Sequence, residues 1–209
     1  MVTKQSRSAP VMRTVLEAVS ERLMRGDEIL IRIPEICAAT GVNYGSVYHH
    51  FGSREGVIDA AYSMIFTRII DEDVAALRQV NESARTFEQY VAAIRPVLER
   101  ISAGEERVAR RAIRSRIVAA ATTRHDLRVL IALNQARLNS ELLRIANYGQ
   151  RRGWLRRDVS AQSIAMLMQA VVLGRTLDDI SLEPISDAEW EQTLVALFME
   201  MLNFPDPQH

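Results

Sequence analysis

Apolar residues recur every three or four positions along nearly the whole chain, which is the period of a helix with one buried face. In the first such stretch, Val15, Val19 and Leu23 share a face, and the stretch ends at Gly26. No window of the sequence has the alternating, β-branched pattern of a strand. The pattern therefore predicts an all-α protein with about nine helices.

Turn residues divide this pattern into segments. We expect helices to begin near Pro10, Pro34, Tyr44 and Ser53, with Gly41 in a left-handed turn. The helix after Ser53 is expected to run to about residue 79 and to be long enough to bridge two domains. The later helices are predicted at residues 86–102, 105–121, 126–152, 160–182 and 186–203.

Composition indicates a globular chain held together by packing. The chain has 209 residues, of which 48% are hydrophobic, and its longest uncharged stretch, residues 159–174, is too short to cross a bilayer. Residues 1–10 contain no apolar run, so a cytoplasmic location is expected. Cys37, the single cysteine, excludes an intrachain disulfide and is expected in the core.

Charge is distributed unevenly along the chain. Residues 158–209 contain nine acids against Arg175 alone, so residues 1–157 carry eight more cations than acids, because the net charge is zero. Residues 1–15 and 38–54 contain no acid at all. These two stretches can approach phosphate groups without repulsion.

The segment from Ile33 to Glu55 has the spacing of a helix-turn-helix. Its apolar positions Ile36, Val47 and Phe51 face inward in two short helices that meet at a glycine turn. The outer side of the second helix is then open to the major groove of DNA. The polar, acid-free residues on that side are Asn43, Tyr44, Ser46, Tyr48, His49 and His50.

Residues 40–55, TGVNYGSVYHHFGSRE, strongly resemble the recognition segment of the tetracycline-repressor (TetR) family. The resemblance implies a three-helix DNA-binding domain over residues 1–56 and a helical ligand-binding and dimerisation domain over residues 57–209. It also implies DNA contacts by Tyr44, Ser46, Tyr48 and His50, with Arg54 in the place of a phosphate-binding lysine. Arg32 stands where the family often has a capping Ser or Thr, and it is a candidate for the phosphate contact instead.

The complete set of candidate DNA contacts is Arg32, Asn43, Tyr44, Ser46, Tyr48, His49, His50 and Arg54. Because His49 and His50 are adjacent, they point in different directions from a helix and are not expected to hold one metal ion.

The larger domain is expected to contain the effector pocket. From the helical layout alone, the candidate lining residues, which are equally candidates for the core, are Phe66, Phe87, Tyr90, Ile94, Ile113, Ile117, Leu130 and Asn134. Arg107, Arg110, Arg111 and Arg114 form a helical stripe. Such a stripe is typical of a solvated face, and an acidic effector is the alternative interpretation.

A second subunit is implied by the apolar stretch around Leu167, which is wider than one amphipathic stripe. An intrachain core is the alternative, whereas the resemblance implies a four-helix interface with the last helix. The candidate interface residues are Ile164, Leu167, Met168, Val171, Gly174, Trp190, Leu194, Leu197 and Phe198.

Enzyme motifs are absent from the sequence: it has no phosphate-cradling glycine loop, no nucleophile elbow and no metal-ligand cluster. We therefore expect no catalytic residues, cofactor or metal. The predicted function is a homodimeric, ligand-released repressor that binds a near-palindromic double-stranded DNA operator, with an unknown small-molecule effector and no membrane partner. The alternative is a DNA-binding adaptor that is constitutive or controlled by a protein partner.

Overall fold

The computed structural model describes residues 4–26, 28–102 and 105–203. Within these ranges the chain forms nine α-helices, one 3₁₀ helix (Glu28–Leu30) and an isolated β-bridge between Leu155 and Leu202. The α-helices are α1 (Lys4–Arg25), α2 (Ile33–Thr40), α3 (Tyr44–Phe51), α4 (Arg54–Ser83), α5 (Phe87–Ser102), α6 (Glu105–Thr123), α7 (His125–Arg151), α8 (Ala161–Asp179) and α9 (Asp187–Met199). The all-α prediction is confirmed.

Helix boundaries agree with the sequence pattern to within a few residues, apart from the start of α1. This helix begins at Lys4 instead of near Pro10, and that expectation was wrong. Pro10 lies inside α1, with more than one turn of helix before it. None of the described helices is both long and apolar enough to cross a membrane.

The chain packs as two compact units. The first comprises Met1–Ile69 and Arg116–Leu133, and the second comprises Ile70–Ser115 and Asn134–His209. The boundaries fall inside α4, α6 and α7. These packing units differ from the domains 1–56 and 57–209, which stay a prediction about function.

The first unit has a core formed by α1, α2, α3 and the start of α4. Val15, Val19 and Leu23 of α1 are fully buried, as is Val47 of α3. Burying side chains of this size contributes about 1.5–3 kcal/mol each. Cys37 lies in the same core as predicted, and burial raises the pKa of its thiol.

The second unit has an aromatic cluster between α5 and α7. The Tyr90 hydroxyl donates a hydrogen bond to the carbonyl oxygen of Ile145 at 3.3 Å, and the rings of Tyr90 and Trp154 lie 5.4 Å apart. Gly149 allows this packing, because a Cβ atom there would lie 2.6 Å from the Tyr90 hydroxyl. Burial raises the pKa of Tyr90, so the phenol stays protonated.

Candidate DNA-binding surface and internal cavity

The helix-turn-helix forms from three local signals. Gly41 ends α2 with φ of 70°, a left-handed conformation that glycine adopts without steric cost. The side chain of Asn43 then caps α3 by accepting a hydrogen bond from the Ser46 amide at 3.2 Å. Ser53 caps α4 in the same way, through the Gly56 amide at 3.0 Å. At the start of α2, Arg32 provides no side-chain cap, and Pro34 occupies the first turn.

The exposed side of α3 is polar and contains no acid. Asn43, Tyr44, Ser46, His49 and His50 are exposed, whereas Tyr48 is half-buried. The rings of Tyr44 and Tyr48 lie 4.5 Å apart, and a side-chain hydrogen bond with Tyr48 raises the pKa of Tyr44. The exposed side chains of α3, with no acid among them, can therefore approach the phosphates and base edges of DNA.

The two candidate arginines, Arg32 before α2 and Arg54 at the start of α4, differ in their surroundings. Arg32 is exposed and donates a hydrogen bond from Nη1 to the Ile29 carbonyl oxygen at 3.1 Å. Arg54 donates from Nε to the Ile31 carbonyl oxygen at 3.0 Å and from Nη2 to the Glu28 carbonyl oxygen at 2.5 Å. Arg54 thus holds the segment before α2 against the start of α4.

The first unit also contains a polar cluster that no sequence pattern predicts. Arg124 binds Glu28 (Nη2 to Oε1, 2.7 Å) and Asp59 (Nη1 to Oδ1, 2.9 Å), and the Tyr62 hydroxyl donates to Glu28 Oε2 at 2.5 Å. Burial acts to raise the pKa of Glu28, but the hydrogen bonds from Arg124 and Tyr62 hold it below its ordinary value. No local pattern marks this cluster, since Arg124 and Glu28 are 96 positions apart.

The second unit contains a partly open cavity of about 140 Å³. Its wall is mainly aliphatic, including Leu77, Ile94, Leu138 and Ile145. The polar lining residues are Asp73, Arg107, Arg110, Arg111, Arg114 and Gln169. A mostly apolar cavity with a few convergent polar groups is typical of a small-molecule site.

The structure brings Tyr90 and Ile94 of the predicted pocket residues to this cavity. Phe66, Ile113 and Ile117 are instead fully buried in packed cores, and Leu130 is exposed. Phe87 and Asn134 are partly exposed and lie outside the described cavity lining. These six residues therefore lie outside the described lining of this cavity, and their part in an effector site stays a prediction. Helical period alone does not show which buried face borders a void.

The arginine stripe of α6 is not a solvated face, contrary to the usual interpretation of such a pattern. Arg111 and Arg114 are each only 5% exposed. Arg111 forms a two-point ion pair with Asp179 (Nε to Oδ2, 2.7 Å; Nη2 to Oδ1, 2.5 Å). Asp73 accepts from Arg110 at 2.5 Å and from Arg114 at 3.3 Å. Burial, the largest effect on both groups, raises the pKa of Asp73 and lowers that of Arg114.

The predicted interface residues on α8 and α9 occupy different environments. Leu167, Gly174 and Leu197 are exposed, and Val171 and Trp190 are partly exposed. Ile164 and Leu194 are buried within the chain itself. Met168 and Phe198 line the cavity, as does Ile164.

Comparison with known proteins agrees with this geometry. Residues 31–61 match the model of the N-terminal region of bacterial regulatory proteins of the tetR family. No curated protein matches the sequence.

Solved structures with a similar fold cover nearly the whole chain. A protein from Saccharomonospora viridis, assigned as a transcriptional regulator and solved in complex with choline, has a TM-score of 0.71, 18% identity and coverage of 94% of this chain and 100% of its own. A protein from Mesorhizobium loti, assigned as a TetR-family transcriptional regulator, has a TM-score of 0.70, 16% identity and coverage of 95% and 99%. GusR from Salmonella enterica has a TM-score of 0.66, 18% identity and coverage of 96% and 98%. The chain therefore has the TetR-family fold and carries that family's N-terminal helix-turn-helix sequence at residues 31–61.

Proposed function

We propose that the chain is a sequence-specific transcriptional repressor that binds a near-palindromic operator as a homodimer and is released by a small molecule. The observation that carries this proposal is the α3 surface, where exposed hydrogen-bonding side chains lie on a helix without acids. Its side chains are of the types that bind phosphate oxygens and base edges. In the cytoplasm, two such helices would enter successive major grooves about 34–36 Å apart.

A ligand in the cavity has a direct route to act on α4. Asp73, Leu77 and Val80 of α4 line the cavity, while the same helix begins at Arg54, immediately after the helix-turn-helix. A ligand that shifts α4 changes the spacing of the two α3 helices in a dimer, and by linkage operator DNA weakens the binding of that ligand. A cavity with this mostly apolar lining favours this mechanism over a constitutive or partner-controlled adaptor.

Dimerisation is supported by exposed apolar side chains on the last two helices. Met166, Leu167 and Leu177 of α8 and Leu197 of α9 are 61%, 37%, 74% and 43% exposed in the single chain. An exposed apolar surface of this kind indicates a protein interface.

The test is selection of bound duplexes from a library of genomic fragments, followed by gel-shift titration of the enriched sequence. We expect enrichment of a near-palindrome that binds two or more copies of the chain, and no comparable shift with a scrambled duplex of the same composition. Uniform affinity for every duplex would contradict regulation at a specific site.

A further inference from the structure

We propose that the cavity of the second unit binds a small organic anion, in which a carboxylate is attached to an apolar body about the size of a benzene ring. This inference rests on the proposed function, because it names the chemical class of the effector. The group that carries it is Arg111, whose Nη1 atom is buried without a hydrogen-bond partner among the described residues.

The size and apolar lining of the cavity define the body of the ligand. The cavity measures about 140 Å³, and Leu77, Leu138 and Val172 are among its aliphatic lining residues. Apolar cavities of about 150 Å³ are known to hold benzene. A single ring or a short alkyl chain therefore matches the space.

The polar part of the lining defines the ligand's charge. Among the described residues that line the cavity, four are arginines of α6 and one is an acid, Asp73. Asp73 already accepts hydrogen bonds from Arg110 and Arg114. Arg111 uses Nε and Nη2 for Asp179, which leaves the Nη1 N–H groups as donors. A carboxylate oxygen would satisfy them with a charge-assisted hydrogen bond, which is stronger than one to a neutral acceptor.

A cationic ligand such as choline, bound in the Saccharomonospora viridis structure, fits this lining poorly. Quaternary ammonium groups are recognised by cages of aromatic rings. The aromatic residues in the described lining are Tyr90 and Phe198, and the charged residues in that lining are four arginines and one acid. The geometry thus favours an anion over a cation in the same space.

The first test is calorimetric titration of the purified full-length chain, without DNA, with benzoate, benzamide, benzylamine and choline. Benzoate and benzamide have nearly the same shape and differ in charge. We expect benzoate to bind once per chain, at least about tenfold more tightly than benzamide, and the two cations to show no binding. Equal affinity for benzamide, tighter binding of either cation or no binding of benzoate would overturn the inference.

The second test removes the donor together with its acid partner, so that no buried carboxylate is left unpaired. The double variant Arg111→Gln with Asp179→Asn should bind benzoate about tenfold or more weakly while its affinity for benzamide changes little. The matched control is Arg137→Gln with Asp71→Asn, since that pair is joined at 2.6 Å, is about half exposed and lies outside the described lining. An equal loss of benzoate affinity in both double variants would contradict the role of Arg111 in binding the carboxylate.

Circular dichroism must show that the variants fold. If the Arg111 double variant does not fold, Arg111→Lys keeps the cation while removing Nη1, and it should also weaken benzoate binding. Failure of the inference is distinguishable from failure of the proposed function. If the protein binds an operator but prefers benzamide, only the inferred effector class is wrong. If it binds benzoate but no specific DNA, only the proposed repressor function is wrong.

Discussion

At the residue scale, the helical period of α3 decides which side chains are available to DNA. Val47 is fully buried and anchors the helix, while Tyr44, His49 and His50 are exposed around it. Tyr48 lies between these extremes, half-buried with its ring against that of Tyr44. The Tyr48 ring and its hydroxyl can therefore have separate roles, one in packing and one in contact with DNA.

We predict that Tyr48→Ala weakens operator binding by about 1.5–3 kcal/mol, the value of a hydrogen bond to a charged group. Tyr48→Phe, which keeps the ring and removes the hydroxyl, should account for most of this loss. Fluorescence anisotropy with a labelled operator measures the affinity, and light scattering should show an unchanged dimer mass. If both variants bound the operator normally, the proposed contact between Tyr48 and DNA would be wrong.

Arg54 is predicted to affect folding as well as DNA binding. Its guanidinium donates to the carbonyl oxygens of Glu28 and Ile31, so Arg54→Ala leaves both oxygens without this donor. We expect the free energy of unfolding to fall by about 1–3 kcal/mol in urea denaturation, with weaker operator binding.

Arg32→Ala is the matched control for Arg54, because Arg32 is exposed and donates to one described carbonyl oxygen, that of Ile29. We expect its effect on stability to stay within about 0.5 kcal/mol. An Arg54 variant with wild-type stability would show that these two hydrogen bonds contribute nothing.

At the element scale, the Glu28 cluster joins segments that are distant in sequence within the first unit. Arg124, between α6 and α7, reaches both the 3₁₀ helix at Glu28 and α4 at Asp59. Tyr62 of α4 adds a third contact, and burial, together with the hydrogen bond to Glu28, raises its pKa. The phenol therefore stays a donor throughout the physiological range.

We predict that Glu28→Gln destabilises the chain at neutral pH and that the difference from wild type shrinks in acid. Because the folded-state pKa of Glu28 is below its ordinary value of 4.5, its carboxylate stabilises the fold above that pH. This contribution is lost as the pH falls through the folded-state pKa. Urea denaturation of both proteins at several pH values from neutral to acid measures the difference.

Glu35→Gln is the control for Glu28, since Glu35 is exposed on α2. Its stability should follow that of the wild type across the same pH series. A difference for Glu28→Gln that stayed constant from neutral to acid pH would contradict the linkage between its protonation and folding.

At the scale of the whole molecule, two copies of the chain are needed to read a near-palindrome. The exposed apolar side chains of α8 and α9 are the surface on which we expect the second copy to pack. A charged group placed there would be buried without a partner in a dimer, at a cost of several kcal/mol.

We predict that the double variant Leu167→Glu with Leu197→Glu is a folded monomer that binds the operator weakly. Size-exclusion chromatography with light scattering gives the mass, and gel shift gives the affinity. Leu133→Glu is the matched control, because Leu133 is 68% exposed on α7 and lies outside the predicted interface. A dimer mass in the double variant would place the interface elsewhere.

The helix-turn-helix and, apart from the start of α1, the positions of the helices follow from local sequence alone. Apolar period, the left-handed turn at Gly41 and the caps at Asn43 and Ser53 act within a few residues of chain, so they can be recognised without a partner segment. The inward and outward sides of α3 follow from the same local geometry.

Which long side chains meet, and where a void remains, depends on the packing of segments that are distant in sequence. Arg54 was expected at phosphate and contacts two backbone carbonyl oxygens, and the α6 arginines were expected in solvent and include two that are buried. By spacing alone, Phe66 and Ile117 suit a pocket and a core equally; both are fully buried and lie outside the described cavity lining. Each outcome depends on segments tens of residues away, because burial and ion pairing are set by which helices pack together, and local sequence does not carry that information.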